Sequence, residues 1–184
     1  MLTQYFTASS VDGFIADPEE TLSWLLTRDA DPTGPMGYDL FYADVGALAM
    51  GARTYQWILD HTAATGEPWF YQVPTWVFTH RDLPAVDGAD VRFTQAPVTQ
   101  VHEEMRAAAG DRNVWVVGGG DLAGQFADAG LLDEIWVQYA PVTLGAGAPL
   151  LPRRLELVLE EVARNREFAC ARYRVVHGEG GDKG

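Results

Sequence analysis

A single cysteine in 184 residues, Cys170, leaves this chain without an internal disulfide or a CxxC metal site, so no metal centre is expected and a reducing compartment is. Cys170 itself reads as a small buried apolar residue. Basic residues are scarce as well: 13 Lys and Arg stand against 26 Asp and Glu, for a formal net charge of -13. Non-specific nucleic-acid binding depends on clustered cations that displace counterions from phosphates, so nucleic acid is not an expected partner. No segment approaches the roughly 20 apolar residues that span a bilayer, and "MLTQYFTASSVDG" lacks a basic start followed by an apolar run. A cytoplasmic protein with no membrane partner is the expectation. What is plentiful is core material, since 47% of the residues are hydrophobic, enough for one domain of this length. That domain is expected over residues 1–176, with the polar, glycine-rich "HGEGGDKG" as a disordered tail over 177–184.

The pattern of elements predicts an α/β architecture. "LTQYFTAS", "ALAMG", "TWVFTH", "ADVRFT" and "NVWVV" read as strands. "DLFYADVG" reads as a short helix and "ARTYQWILDH" as a longer one, with Tyr55, Ile58 and Leu59 at helical spacing. "VTQVHEEMRAAAG" and "DLAGQFADAG" are amphipathic helices stopped by Gly110 and Gly130. Towards the end, "DEIWVQYAPVTLG" reads as a strand, and "LELVLEEVARN" with "REFACARYRVV" as an antiparallel hairpin, which predicts a mixed sheet.

Three strand ends carry polar or bare-backbone residues. In "VWVVGGGDLAGQF" the triplet Gly118, Gly119 and Gly120 occupies a strand-to-helix turn, with Asp121 expected at or near the N-cap. Helix N-termini present unpaired N–H groups and partial positive charge, and glycine lets an anion approach them; tight packing explains such a triplet equally well. In "ALAMGARTYQWIL", Gly51 is followed by Arg53 and Thr54 in the first helical turn, donors suited to phosphate oxygens. A cation there opposes the helix dipole and calls for an anionic partner. Thr79, His80 and Arg81 follow a third strand, where ligands of open α/β sheets collect.

These residues resemble the dihydrofolate reductase superfamily, in particular the branch related to the reductase domain of the bifunctional riboflavin-biosynthesis deaminase/reductase. "ASSVDGFIA" is similar to the first strand and active-site loop, "MGARTY" to the G-R-x-T phosphate segment, and "VVGGGDLAGQF" to the glycine-rich cofactor turn. "LLDEIWVQYAPVTLGAGAPLL" is similar to the segment that follows in this branch. The resemblance implies a mixed, mostly parallel central sheet with helices on both faces and a C-terminal antiparallel hairpin. It implies NADPH as cofactor, with Ala8, Ile15 and Ala16 near the nicotinamide. Gly51, Arg53 and Thr54 would then bind phosphates, Thr79, His80 and Arg81 would face the adenosine and its 2′-phosphate, and Val117, Gly118, Gly119, Gly120, Asp121, Leu122 and Ala123 would cradle the pyrophosphate.

Dihydrofolate reductases place an acidic residue on a helix behind the active-site loop to bind the pterin ring and assist its protonation. The corresponding stretch here, "DPEETLSWLLTRDADPTGPMGYDLFYADVG", contains an insertion and no unique counterpart. Asp39 and Asp44 are candidates and Glu20 a weaker one, each also readable as a solvated helix charge or cap. Asp12 in "SVDG" is a further catalytic candidate beside a plain turn reading. Trp24, Tyr38, Phe41, Tyr42 and Trp57 offer an aromatic wall for a planar substrate, or simply core. The expected activity is hydride transfer from NADPH to a C=N or C=O group of a small heterocyclic or ribosylaminopyrimidine-like molecule. A dihydrofolate or pterin reductase and a non-catalytic NADPH-binding sensor stand as alternatives, and the branch implies a homodimer.

Overall fold

A computed structural model describes residues 1–177; of the expected tail, all but His177 lies outside the described residues. Six strands run parallel side by side: β1 (Thr3–Ser10), β3 (Val45–Gly51), β4 (Thr75–Phe78), β5 (Val91–Thr94), β6 (Asn113–Gly118) and β7 (Glu134–Ala140). Against β7 lies an antiparallel hairpin of β9 (Leu157–Asn165) and β10 (Phe168–Val175), which completes an eight-stranded sheet in the order β5-β4-β3-β6-β1-β7-β10-β9. A separate two-stranded pairing joins β2 (Phe14–Ala16) to β8 (Ala148–Pro149). The expected mixed, mostly parallel sheet with its terminal hairpin is therefore present.

Strand alternation builds two cores. Ala47 and Ala49 of β3, Val114 and Val116 of β6, and Tyr5 of β1 face α4 (Val98–Ala109) and α5 (Gly120–Asp128). The intervening Leu48, Met50, Trp115 and Phe6 face α2 (Tyr38–Tyr42) and α3 (Ala52–Thr65) on the other side. Side chains that alternate across the pleat, each fully buried one contributing roughly 1.5–3 kcal/mol, oblige helices to cover both faces. A third cluster under α1 (Ser23–Leu26) holds Trp24, Met36, Ala140, Phe168 and Cys170.

Several boundaries differ from the sequence expectation for local reasons. The helix expected from Asp39 to Gly46 ends at Tyr42, and Val45 and Gly46 belong to β3, whose register against β6 shifts between Val45 and Ala47. The strand expected to run on to Gly145 stops at Ala140, because Pro141 has no N–H to donate. The helix at Ala52 continues to Thr65, closed by Gly66 at φ 76°. Helix α1 and strands β2 and β8, all under five residues, were not anticipated.

Gly46 marks a close approach of helix to sheet, since a Cβ there would lie 2.7 Å from the Ala109 carbonyl oxygen at the end of α4. Gly46→Ala is expected to force α4 off β3 and lower stability by about 1–3 kcal/mol, the usual range for overpacking. Urea denaturation monitored by circular dichroism reads it; an unchanged midpoint refutes the close approach.

Candidate cofactor and substrate site

The parallel strands deliver their carboxyl ends to one edge of the sheet. Gly51, the last residue of β3, pairs in register with Phe78 of β4, and its predecessor Met50 pairs with Gly118 of β6. A Cβ on Gly51 would stand 3.8 Å from the Gly118 carbonyl oxygen, so the two turns are neighbours. Strand β1, between β6 and β7, extends past its last pairing with β6, Tyr5 against Val116, and carries Ala8 opposite Gln138 of β7.

The three consecutive glycines answer to three different demands. Gly118 has φ 155°, a conformation other residues rarely take, and its peptide bond to Gly119 is cis. Gly119 has an ordinary φ of -83°, and a Cβ there would touch only Ile15 Cδ1, at 3.7 Å. Gly120 is a packing glycine: a Cβ would fall 2.4 Å from the carbonyl oxygens of both Pro149 and Leu150. A methyl group at Gly118 would in turn face Thr54 Oγ1 at 3.5 Å. Ile15, Gly51, Thr54, Gly118 and Gly119 thus surround one niche. Ala16 stands apart from it, paired with Ala148 in the small sheet.

Helices α3 and α5 both begin at this niche, with Gly51 and Gly119 as N-caps and no side-chain cap on either. Glycine caps leave the first-turn N–H groups without side-chain acceptors. Asp121 lies near the N-cap as expected, in the first turn of α5, and its carboxylate binds Gln125 and Arg153 with no side-chain cap bond. Ala123 is less suited to a ligand than expected, because its N–H is spent on the Gly119 carbonyl at 3.1 Å and its side chain is buried in the core. Leu122 likewise points its side chain into that core, which leaves only its N–H for a ligand. Val117 packs against the opposite core, beside α3.

The cations are less concentrated. Arg53 is exposed and its guanidinium meets Glu20 at 3.0 Å, so the anionic partner that its place at a helix N-terminus calls for is supplied by the chain itself. Thr79 is buried and its Oγ1 accepts the Arg81 N–H at 2.9 Å, which shapes the turn that exposes His80 and Arg81.

The acidic candidates divide clearly. Asp12 accepts the Ser10 hydroxyl at 2.6 Å and the N–H groups of Leu144 and Gly145, the latter at 2.7 Å. Those bonds, the serine's first, pull its carboxyl down to about 2, so at neutral pH Asp12 has no proton to give and acts as a clamp between two loops. Asp39 is exposed in the first turn of α2, and Asp44 is exposed before β3. Of the aromatic candidates, Phe41 is buried and stacked on Phe6 at 4.4 Å, and Trp24 is buried in the third cluster. Tyr42 and Trp57 are half-buried against the α2–α3 core.

Tyr38 alone among them lines a cavity of about 220 Å³ over β1 and β7, which also takes in Ala8, Asp31, Gln138, Asn165 and Phe168. Burial raises the Tyr38 hydroxyl well above its ordinary range, so it stays protonated. Sequence reasoning missed Asp31, Gln138 and Asn165. Only Gln138 left a trace, as a polar residue in the apolar run "IWVQYA".

The Asp12 clamp has a pH signature. Its depressed carboxyl contributes stability that is complete above the ordinary value of 3.8 and is lost as pH falls towards about 2. Asp12→Asn is expected to lower the melting temperature at pH 7 and to flatten the acid limb of the stability profile between those values. Parallel profiles for parent and variant would refute the clamp.

Residues 54–166 match the RibD C-terminal domain family. Protein YwjB of Bacillus subtilis is 30% identical over 155 residues, covering 80% of this chain and 81% of that one. The riboflavin biosynthesis protein RibD of Corynebacterium ammoniagenes is 31% identical over 167 residues, 83% of this chain and 47% of that longer protein. Two solved structures share the fold. One, a protein of Shewanella sp. PV-4 titled for riboflavin biosynthesis, has a TM-score of 0.78 at 23% identity, covering 96% of this chain and 100% of that one. The other is the Thermotoga maritima diaminohydroxyphosphoribosylaminopyrimidine deaminase/5-amino-6-(5-phosphoribosylamino)uracil reductase, with a TM-score of 0.60 at 17% identity over 95% of this chain and 56% of that one. With its sheet order, terminal hairpin and the span of these matches, the chain belongs to the RibD C-terminal domain family.

Proposed function

We propose that this protein is an NADPH-dependent reductase of the RibD type, acting on a C=N or C=O group of a small heterocycle. The observation that carries this reading is the meeting of two uncapped helix N-termini, those of α3 and α5, across Gly51, Gly118 and Gly119. Unpaired N–H groups at both, with only Ile15 Cδ1 within contact of a Cβ at Gly119, fit a pyrophosphate. The residues present therefore suit the cofactor. The N–H groups of Gly119, Gly120, Asp121 and Leu122 and the Thr54 hydroxyl would hold its phosphates, Arg53, His80 and Arg81 its 2′-phosphate, and Ala8 and Ile15 its nicotinamide end.

NADPH held there would supply the hydride. The chain's own part is positional. Strand β1 presents Ala8 between the glycine turn on β6 and the cavity over β7, and would orient a cofactor and a substrate on its two sides. The carbon of the C=N or C=O bond would accept that hydride, and its nitrogen or oxygen a proton from water. Asp12 is held ionised and takes no part in that proton step. The absence of a proton-bearing carboxylate among the described residues lining the cavity favours one second reading, a module that binds NADPH without turnover. Stabilisation by NADPH with no oxidation by any pyrimidine or pterin substrate would select it.

Two outcomes test the cofactor reading. NADPH is expected to raise the melting temperature more than NADH does, and Arg53→Ala to erode the difference; equal shifts in the parent refute it. Gly119→Ala is expected to keep the parent's stability yet lose at least tenfold in NADPH affinity, about 1.4 kcal/mol. Gly120→Ala, by contrast, is expected to lose stability first, because its Cβ collides with β8 and Leu150.

A homodimer is part of the proposal. Edge strand β9 exposes Leu157, Val158, Leu159 and Val162, the last at 65%. Edges of this kind invite pairing unless covered. Light scattering is expected to give twice 20.2 kDa, and a mass at the monomer value refutes it.

A further inference from the structure

We propose that Arg153 is a positioning residue for the cofactor's pyrophosphate: it draws the Asp121 carboxylate away from the N-terminus of α5 and so keeps the first-turn N–H groups there open to an anion. The inference rests on the reductase reading only in taking that N-terminus as the place where the pyrophosphate sits.

The arginine is built into the helix surface. Asp121, Gly124, Gln125 and Asp128 recur at helical spacing and so share one face of α5. The segment after β8 runs across that face and lays the Arg153 guanidinium along it. Its Nε donates to Asp128 Oδ2 at 2.8 Å, its Nη2 to Asp121 Oδ1 at 3.1 Å and its Nη1 to the Pro152 carbonyl at 2.9 Å. Gly124 makes the room, because a Cβ there would lie 2.9 Å from Arg153 Cγ and 3.2 Å from its Cζ and Nε. Glycine inside a helix is disfavoured against alanine, and here the arginine stem takes the place of the missing side chain.

Asp121 ties this strap to the site. A carboxylate in the first turn suits the helix dipole, but it repels a second anion at the same end, and a short acidic side chain there is able to accept the free N–H groups itself. A pyrophosphate needs those same donors. In this structure the carboxylate is turned to other partners: its Oδ2 accepts Gln125 Nε2 at 3.0 Å and its Oδ1 accepts Arg153. These bonds, that from Gln125 first, hold the Asp121 carboxyl below its ordinary range, and no side chain caps the helix. The segment that carries Arg153 is itself seated on the glycine turn. The carbonyls of Pro149 and Leu150 crowd Gly120, and that of Leu150 accepts the Tyr5 hydroxyl at 3.0 Å. Arg153 thus offsets an acidic residue inside the phosphate cradle from backbone already packed against it.

Calorimetric titration with NADPH, read beside the melting temperature of the unliganded protein, tests the proposal in three variants. Arg153→Met is expected to weaken NADPH at least fivefold, because the Asp121 charge is then unpaired beside the diphosphate. Adding Asp121→Ala to Arg153→Met is expected to bring the affinity back to within twofold of the parent without restoring the melting temperature. Asp128→Ala releases the strap at its other end but leaves Arg153 on Asp121; it is expected to lower the melting temperature while NADPH affinity does not fall. An unchanged affinity in Arg153→Met overturns the proposal. So does a double variant as weak as the single one, or a loss of affinity in Asp128→Ala that matches the loss in Arg153→Met, since each marks a strap that acts through stability alone. Absence of NADPH binding to the parent is a separate result, which overturns the reductase reading and this proposal with it.

Discussion

The close approach of backbone at the carboxyl ends of β3 and β6 is the constraint on which the rest of the site depends. Gly51 and Gly118 bring two turns into contact, and each turn starts a helix whose first N–H groups have no side-chain cap. A Cβ at Gly51 would fill the gap to the Gly118 carbonyl at 3.8 Å, φ 155° at Gly118 disfavours any side chain, and capping side chains would consume the donors. Gly120 extends the same crowding to a third segment, because the carbonyls of Pro149 and Leu150 occupy the space its side chain would need. The Leu150 N–H in turn bonds the Gly13 carbonyl at 2.8 Å, and Asp12, beside Gly13, holds Leu144 and Gly145. The loop after β1, the segment around β8 and the glycine turn therefore form one connected unit.

That unit concentrates backbone donors in a protein whose side chains are strongly acidic. With a net charge of -13, the long-range field repels anions, and local N–H groups and a few arginines must overcome it. Glu20 matters in this setting. By pairing with Arg53 in the absence of other anions, it reduces the unfavourable encounter of a cation with a helix N-terminus, but it also competes with any incoming phosphate. The pair is mostly exposed, with side chains 74% and 60% accessible, so water and salt screen it and the exchange for a phosphate is cheap.

Legibility from sequence followed chain locality. Strands, helices and the glycine turn rest on short-range patterns of burial and punctuation, and the family motifs lie on those same turns, so the frame and the place of the glycine turn at the strand ends were readable. The separate reasons for Gly118, Gly119 and Gly120 were not, because Gly120 answers to Pro149 and Leu150, about thirty residues away. Asp12 failed as a proton donor for a similar reason, its partners at Leu144 and Gly145 being invisible to a local turn reading. The cavity over β1 and β7 was the least legible part. Tyr38, Gln138 and Phe168 come from three segments that share no motif and meet only through sheet order.

The insertion that defeated alignment to the superfamily is also what encloses that pocket. Buried Asn165, at the end of β9, accepts the Asp31 N–H at 2.9 Å and donates to the carbonyls of Asp31 and Pro35 at 2.8 and 3.2 Å. Three hydrogen bonds from one side chain fasten the inserted loop to the turn of the terminal hairpin, and Arg166 at φ 53° keeps that turn tight. The same hairpin offers its outer strand as an exposed apolar edge. Pocket wall and candidate subunit contact thus share one β-hairpin, a rigid element through its long antiparallel pairing. Asn165, at the end of that outer strand, is the residue that holds Asp31. Pocket wall and exposed edge lie on the same hairpin, whereas the glycine niche on β3 and β6 lies across β1 and β7 from it.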